Sequence, residues 1–366
     1  MEYNGYEDVL VDLKKYNHSQ WIVAGERERE RMIGDVFDIY RSKNIYPITY
    51  YDDVGISNEI KKCIDKDVVF DGHVLNLKNN QGSSLCKFLF PNLHKVECKG
   101  VKNNSMYDRF YDDHKLKRAI KLSLSIKKSV TPSEIRSSLE LIGGNVATNF
   151  KPMNAKALYE YYVPKNGIIY DFSCGFGGRM LGALSSKNDY TYIGCEPCDE
   201  TYSGLIELGN HIEQYKETND KFNIFKQGSE LYSLELQKFE GQCDFAFSSP
   251  PYFNLEKYSD EETQCYNKFP NIEEWFEGYV RPTIKNIFKL LKKDGKYAVN
   301  IADFNIGKQR IEFVNEWIKI SQEEGFQLIN EISMGLNVRK GYGHDKRTKR
   351  EGIFVFKKRG EEDLND

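Results

Sequence analysis

The hydrophobic pattern changes its period part-way along the chain. Between residues 25 and 42, Met32, Ile33, Val36, Phe37 and Tyr40 fall at helical spacing behind a charged run, Glu26-Arg27-Glu28-Arg29-Glu30-Arg31. Alternating charge of this kind predicts a solvated helix face. Asn79-Asn80-Gln81-Gly82-Ser83-Ser84 is a loop by composition. Residues 115–128 form a basic amphipathic segment, and Thr131-Pro132-Ser133-Glu134 reads as a helix start. Gly143-Gly144-Asn145 marks a boundary, and from residue 149 the pattern becomes regular. Short apolar runs at 167–171, 190–195, 222–226, 243–248 and 297–302 predict buried strands, with helices notably over 275–293 and 310–324. Strands alternating with helices predict an α/β fold, a mostly parallel sheet wound on both faces.

Length and composition narrow this picture. The 366 residues suit two domains at roughly 150 residues each. We expect an N-terminal α+β region over 1–144, a catalytic domain over 145–358 and a polar tail over 359–366. The apolar content of 40% is ample for a core, and no apolar run approaches the roughly 20 residues of a membrane span. The acidic, polar start of the chain is unlike a signal peptide, so a cytoplasmic protein is expected. The net charge of −3 provides no global basic field, so any contact with nucleic acid must come from local patches. Eight cysteines are scattered, with one Cys-x-x-Cys at Cys195 and Cys198. A zinc site would need a second ligand pair and none is found, so no metal is expected and reduced thiols are the default.

Two stretches carry candidate chemistry. The first is the run Cys243-Asp244-Phe245-Ala246-Phe247-Ser248, a strand that meets Ser249-Pro250-Pro251-Tyr252. Two prolines cannot continue a central strand, so the chain must leave the sheet there. A hydroxyl, two stiffened carbonyls and an aromatic ring are left at a strand's carboxyl end, where open α/β sheets bind ligands. By itself this is also what a rigid strand-to-loop turn looks like. The second stretch is Asp171-Phe172-Ser173-Cys174-Gly175-Phe176-Gly177-Gly178, a glycine-rich turn between a strand and a helix, where backbone amides can approach a ligand closely. A dinucleotide fingerprint would need a third glycine at position 180, which is Met180, so the NAD reading fails on spacing. Glu196 closes the next strand, placed to accept both hydroxyls of a ribose.

Together, Asp171 to Gly178, Glu196 and Ser249-Pro250-Pro251-Tyr252 resemble the class I S-adenosylmethionine-dependent methyltransferases, and more narrowly the amino-methylating DNA methyltransferases. The resemblance spans about residues 145–358. It implies a seven-stranded Rossmann-like sheet whose last strand is antiparallel, with residues 325–331 and 352–356 as the final pair. It further implies S-adenosylmethionine as cofactor, held by Asn149, Phe150 and Pro152, by Asp171, Ser173, Cys174, Gly175 and Gly177, by Glu196 and Pro197, by Gly228 and Ser229, and by Ser249. An acidic residue is common in the family where this chain has Ser229.

An exocyclic base amine is a poor nucleophile, because its lone pair is delocalised into the ring. Ser249 Oγ and the Pro250 carbonyl are placed to accept its two hydrogens, Pro251 stiffens the turn, and Tyr252 would stack on a base swung out of the duplex. In the family, Ser at the first motif position accompanies cytosine N4 methylation, and Asp or Asn accompanies adenine N6. DNA contacts are expected from Phe253, Lys257 and Tyr258 in the loop after the motif. Others are expected from Arg339, Lys340, Lys346 and Arg347 in the run 339–350, which holds six Lys/Arg and one Asp. Little chain follows the last strand, so sequence recognition would fall to the N-terminal region or to that loop. The resemblance also brings in a restriction-modification setting. Methylation of RNA or of a protein glutamine, and a non-catalytic nucleic-acid-binding module, are the rival readings; Ser249 argues against the glutamine case.

Overall fold

The computed structural model describes residues 6–75, 78–98, 104–144, 146–334 and 352–359. The chain divides into two compact units. The first comprises Met1–Val54, Phe90–Thr148 and Glu256–Tyr258. It is built mainly from helices, among them Glu26–Ser42, Asp113–Ile126 and Pro132–Gly143. Met32, Val36 and Tyr40 bury one face of Glu26–Ser42, while the Glu26–Arg31 charges stay at the surface. Asp112 starts Asp113–Ile126 by accepting the Lys115 N–H at 3.0 Å. Pro132 sits in the first turn of its helix, where a missing N–H costs nothing. The expected α+β character is thus corrected to a helical region. Among its described residues, the strand pairing within a sheet is a two-residue antiparallel ladder, Glu97–Cys98 with Glu256–Lys257. Apolar spacing of three and four, with capped starts, leaves little period-two sequence for a sheet.

The second unit comprises Gly55–Leu89, Asn149–Leu255 and Ser259–Asp366, around one eight-stranded sheet. Its strands are β1 (Val74–Leu75), β2 (Ile168–Asp171), β3 (Thr191–Cys195), β4 (Phe222–Phe225), β5 (Cys243–Ser248), β6 (Leu291–Ile301), β7 (Phe326–Met334) and β8 (Gly352–Lys358). The order is β1-β7-β8-β6-β5-β2-β3-β4, with β8 antiparallel to both neighbours and the other pairings parallel. This is the expected mostly parallel sheet with an antiparallel closing strand, extended by β1. Residues 55–89, expected in the N-terminal region, therefore belong here. The buried Lys156 ammonium fastens them, donating to the carbonyls of Cys63 (2.9 Å), Ile64 (3.1 Å) and Lys66 (2.8 Å).

Helices α1 (Pro152–Tyr162), α2 (Gly178–Leu184), α3 (Asp199–Lys216), α4 (Arg281–Leu290) and α5 (Phe313–Glu323) belong to the same unit. Alternation along β5 shows both faces covered. Phe245 stacks on Tyr162 of α1 at 5.1 Å and Phe247 meets Tyr159 at 6.1 Å. Ala246, between them, lies in the cluster with Ile284 and Ile287 of α4 and Trp317 and Ile320 of α5. The helix expected over 275–293 is broken into Ile272–Trp275, a π-helical turn Phe276–Val280 and α4, and β6 begins already at Leu291. Arg310 and Ile311, expected in a helix, pair instead with Asn305 and Phe304 in a hairpin.

The order of winding locates the functional end of the sheet. From β2 the chain builds outward through β3 to β4, then crosses back to β5 on the other side of β2. In open α/β sheets, ligands bind at such a reversal, outside the carboxyl ends of the strands. The glycine turn leaves β2, and Ser249-Pro250-Pro251-Tyr252 leaves β5, so the two sequence motifs end on neighbouring strands at that point.

Candidate functional site

Asp171 closes β2 and is fully buried. Its Oδ1 accepts the Ser173 N–H (3.2 Å) and the Ser248 hydroxyl (2.7 Å), and its Oδ2 accepts Arg179 Nε (2.7 Å) and the Tyr192 hydroxyl (2.7 Å). Four donors occupy the capacity of one carboxylate. Asp171, expected among the cofactor contacts, is placed to organise the turn rather than to meet a ligand. Arg179 also donates to the Ser173 carbonyl, and Ser248 reaches the same carbonyl at 3.2 Å. One ion pair thereby ties β2, β3, β5 and α2 together. Arg179, Tyr192 and Ser248 were not singled out from sequence, although Ser248 adjoins the motif.

The turn itself depends on backbone freedom. Gly175 and Gly177 have φ of 56° and 73°, the left-handed region that glycine enters without a steric cost. A Cβ at Gly178 would run into the Phe150 carbonyl. Asn149 Nδ2 donates to the Phe176 carbonyl at 2.6 Å, so Asn149-Phe150 backs directly onto the turn. Pro152 is buried at the start of α1, packing rather than lining an open surface. Ser173 Oγ lies 2.9 Å from the Tyr279 hydroxyl, another residue that sequence reading missed. Cys174 is buried with its thiol pKa pushed well up by burial, so it fills space as a neutral group.

Glu196, at the end of β3, is 7% exposed. Its Oε2 accepts the Gly175 N–H at 3.0 Å and its Oε1 the Cys198 N–H at 3.0 Å, which leaves each oxygen able to accept once more. Burial pushes its pKa up to about 7, against the opposing pull of these two N–H groups. The Pro197 carbonyl accepts the Thr263 hydroxyl at 3.2 Å. Beyond β4, the Ser229 hydroxyl meets Thr283 at 2.9 Å and its carbonyl accepts Asn286 Nδ2 at 2.9 Å, so Ser229 is committed to α4. Gly228 precedes it with Glu230 close by.

At the motif, the Ser249 hydroxyl donates to the Asn300 carbonyl at 3.4 Å, a partner on β6. With its proton directed there, the lone pairs of Oγ remain to accept. Pro250 is buried; Pro251 and Tyr252 are half-buried. The Tyr252 ring is wedged edge-on against Phe304 (5.8 Å) and Phe313 (5.5 Å). Phe253, expected to touch DNA, is 4% exposed and meets Trp275 at 5.9 Å, so its ring anchors the loop in the core. Its φ of 51° is unusual for a bulky residue and turns the chain sharply after the motif. Lys257 is exposed, and Tyr258 donates to Glu256 at 2.5 Å; both belong to the first unit. Arg339, Lys340, Lys346 and Arg347 lie outside the described residues. No described helix is long and apolar enough to cross a membrane.

Residues 243–366 match the family model described as DNA methylase. The matched segment begins with β5 and takes in the whole Ser-Pro-Pro-Tyr stretch. It supports methyl transfer, with S-adenosylmethionine as the cofactor that such a domain implies. No curated protein matches the chain. Among solved structures it is similar to a TehB-like SAM-dependent methyltransferase from Corynebacterium glutamicum, at 16% identity over 61% of this chain and 95% of that one, with a TM-score of 0.36. It is also similar to TrmN from Thermus thermophilus, at 13% identity over 57% of this chain and 49% of that one, with a TM-score of 0.38. A methyltransferase from Pyrococcus furiosus is similar at 15% identity over 58% of this chain and 84% of that one, with a TM-score of 0.36.

Proposed function

We propose that this protein methylates DNA on an exocyclic base amine, cytosine N4 before adenine N6. The observation that carries the reading is the meeting of two turns at the reversal of the sheet: the glycine turn after β2 and Ser249-Pro250-Pro251-Tyr252 after β5. The first turn fits S-adenosylmethionine through the spare acceptor capacity of Glu196 and the open space beside the Gly175 backbone. When bound, S-adenosylmethionine supplies an electrophilic methyl group on a good leaving group. The remaining task is to hold a weak nucleophile in line, which needs acceptors rather than a strong base. Ser249 Oγ and the Pro250 carbonyl would accept the two amine hydrogens, and Tyr252, braced by Phe304 and Phe313, would support the base swung out of its stack. The preference for cytosine rests on the resemblance, in which Ser at position 249 accompanies N4 methylation.

The deciding experiment is nucleoside mass spectrometry on DNA from cells expressing the protein, beside a Pro251→Ala variant. N4-methylcytosine that appears only with the intact motif is the expected result. N6-methyladenine would overturn the cytosine assignment, and neither mark would overturn the DNA substrate.

Glu196 gives the site a pH dependence of known sign. A carboxylate that receives ribose hydroxyls must be ionised, so affinity for S-adenosylhomocysteine should rise with pH through about 7 and then level off. The same raised pKa makes the ionised form a burden on the free protein. Its contribution to stability is full below the unfolded pKa and is lost as pH rises through about 7. Glu196→Gln should bind more weakly and remove the pH step. Isothermal titration calorimetry at pH values from 5.5 to 8.5 (roughly 1.5 units either side of the pKa) reads both, and an unchanged step in the variant would assign it to another group.

A further inference from the structure

The chain carries a net charge of −3, so contact with DNA must come from a local concentration of cations. One such concentration stands in the helical unit. The helix Asp113–Ile126 buries Leu116, Ala119, Ile120, Ser123 and Leu124 along one face. Lys117, Arg118 and Lys121 are exposed on the other. Lys121 follows Lys117 by four residues and Arg118 by three, so the three cations are neighbours on one side of the helix. After Asp113, which opens it, this helix holds no acidic residue.

What separates this face from an ordinary solvated one is the lack of countercharge. Elsewhere in the same unit, Lys15, Arg31, Lys115 and Lys127 pair with Asp12, Glu28, Asp112 and Glu134. Asp113 is taken by Arg41 at 2.9 Å. Among the described residues, Lys117, Arg118 and Lys121 take part in no ion pair. Lys117 rests over the Phe37 ring, with Nζ 4.5 Å from the centroid, a contact that orients the ammonium without neutralising it. Like charges at this spacing repel one another, and an anion laid along the face relieves that repulsion. The helix is also fixed near both ends. Arg41 donates to the Phe110 carbonyl at 2.8 Å as well as to Asp113, and the His18 ring meets the Leu124 carbonyl at 2.8 Å. A rigid face pays little ordering cost on binding.

The complement of such a face is a row of closely spaced anions. From Lys117 to Lys121 the helix rises about 6 Å, and one strand of duplex DNA presents a phosphate about every 3.4 Å along its axis. We infer that Lys117, Arg118 and Lys121 bind the phosphate backbone of the DNA substrate. The inference rests on the proposed DNA reading and deepens it by giving the helical unit a share in holding the duplex. Phosphate contacts of this kind add affinity and fix orientation, and they carry no base preference.

The test is fluorescence anisotropy with a mixed-sequence DNA duplex of about 30 base pairs, roughly three helical turns, at salt concentrations between about 50 and 200 mM. The wild type is compared with the triple variant Lys117→Gln, Arg118→Gln, Lys121→Gln. A control triple, Lys14→Gln, Lys15→Gln, Arg31→Gln, removes three exposed cations elsewhere in the same unit. Thermal melts check the folding of each. Loss of three phosphate contacts should reduce the steepness of log affinity against log salt by about 2–3. Over that roughly fourfold rise in salt, the wild type should lose about 40-fold more affinity than the triple variant. A second duplex of unrelated sequence should give the same difference, and the control should keep the wild-type slope. A triple-variant slope equal to that of the wild type, or an equal change in the control, would overturn the assignment while leaving the DNA reading in place. A change of slope seen only with single-stranded RNA of the same length would give the face to RNA and overturn the DNA contact. A wild type that binds no duplex would overturn both the contact and the DNA reading.

Discussion

Asp171→Ala should lower the stability of the sheet unit by about 3–5 kcal/mol, the penalty for leaving a buried charge without its partner. Arg179 is the charge concerned: it is buried, and Asp171 is the carboxylate 2.7 Å from its Nε. The same substitution removes the acceptor for Ser248, Tyr192 and the Ser173 N–H. Urea unfolding followed by tryptophan fluorescence reads the loss, since Trp275 and Trp317 are both buried in this unit's core. The control is Asp171→Leu combined with Arg179→Met, which removes both charges together. That double variant should lose much less, because exchanging a buried pair for apolar side chains is often close to neutral. If the double variant were as unstable as Asp171→Ala, hydrogen bonding to β3 and β5, rather than charge, would be the main contribution.

Ser249→Ala is expected to reduce kcat by about 10²–10³-fold, the range found when one well-placed polar group aimed at a reacting centre is removed. Affinity for S-adenosylhomocysteine should stay unchanged. The split follows from the geometry: Oγ gives its proton to the Asn300 carbonyl and keeps its lone pairs, while the turn that fits the cofactor is held by Asp171 and Glu196. Single-turnover kinetics with DNA, beside calorimetry with S-adenosylhomocysteine, separates the two quantities. Parallel losses in both would move Ser249 from the amine to the cofactor, and a variant as active as the wild type would remove it from the chemistry.

Much of this was written in the sequence. Short apolar runs ending in Asp171, Cys195 and Ser248 place three strands within a residue or two, because buried parallel strands need unbroken apolar stretches and prolines or glycines stop them. The glycine turn and Ser-Pro-Pro-Tyr are likewise local, and their backbone demands can be read from residue types alone. What only the tertiary structure decided is whatever depends on a partner distant in the chain. Val74–Leu75 carries no pattern of its own and becomes a strand because β7 presents an edge to it. Phe253 looks like a loop aromatic free to meet DNA, and Trp275 draws it into the core. Asp171 looks like a ligand contact, yet donors from β3, β5 and α2 use up its oxygens. Periodicity reports the solvent on each side of a segment, whereas a hydrogen-bond partner is a property of two segments and appears only once they are folded together.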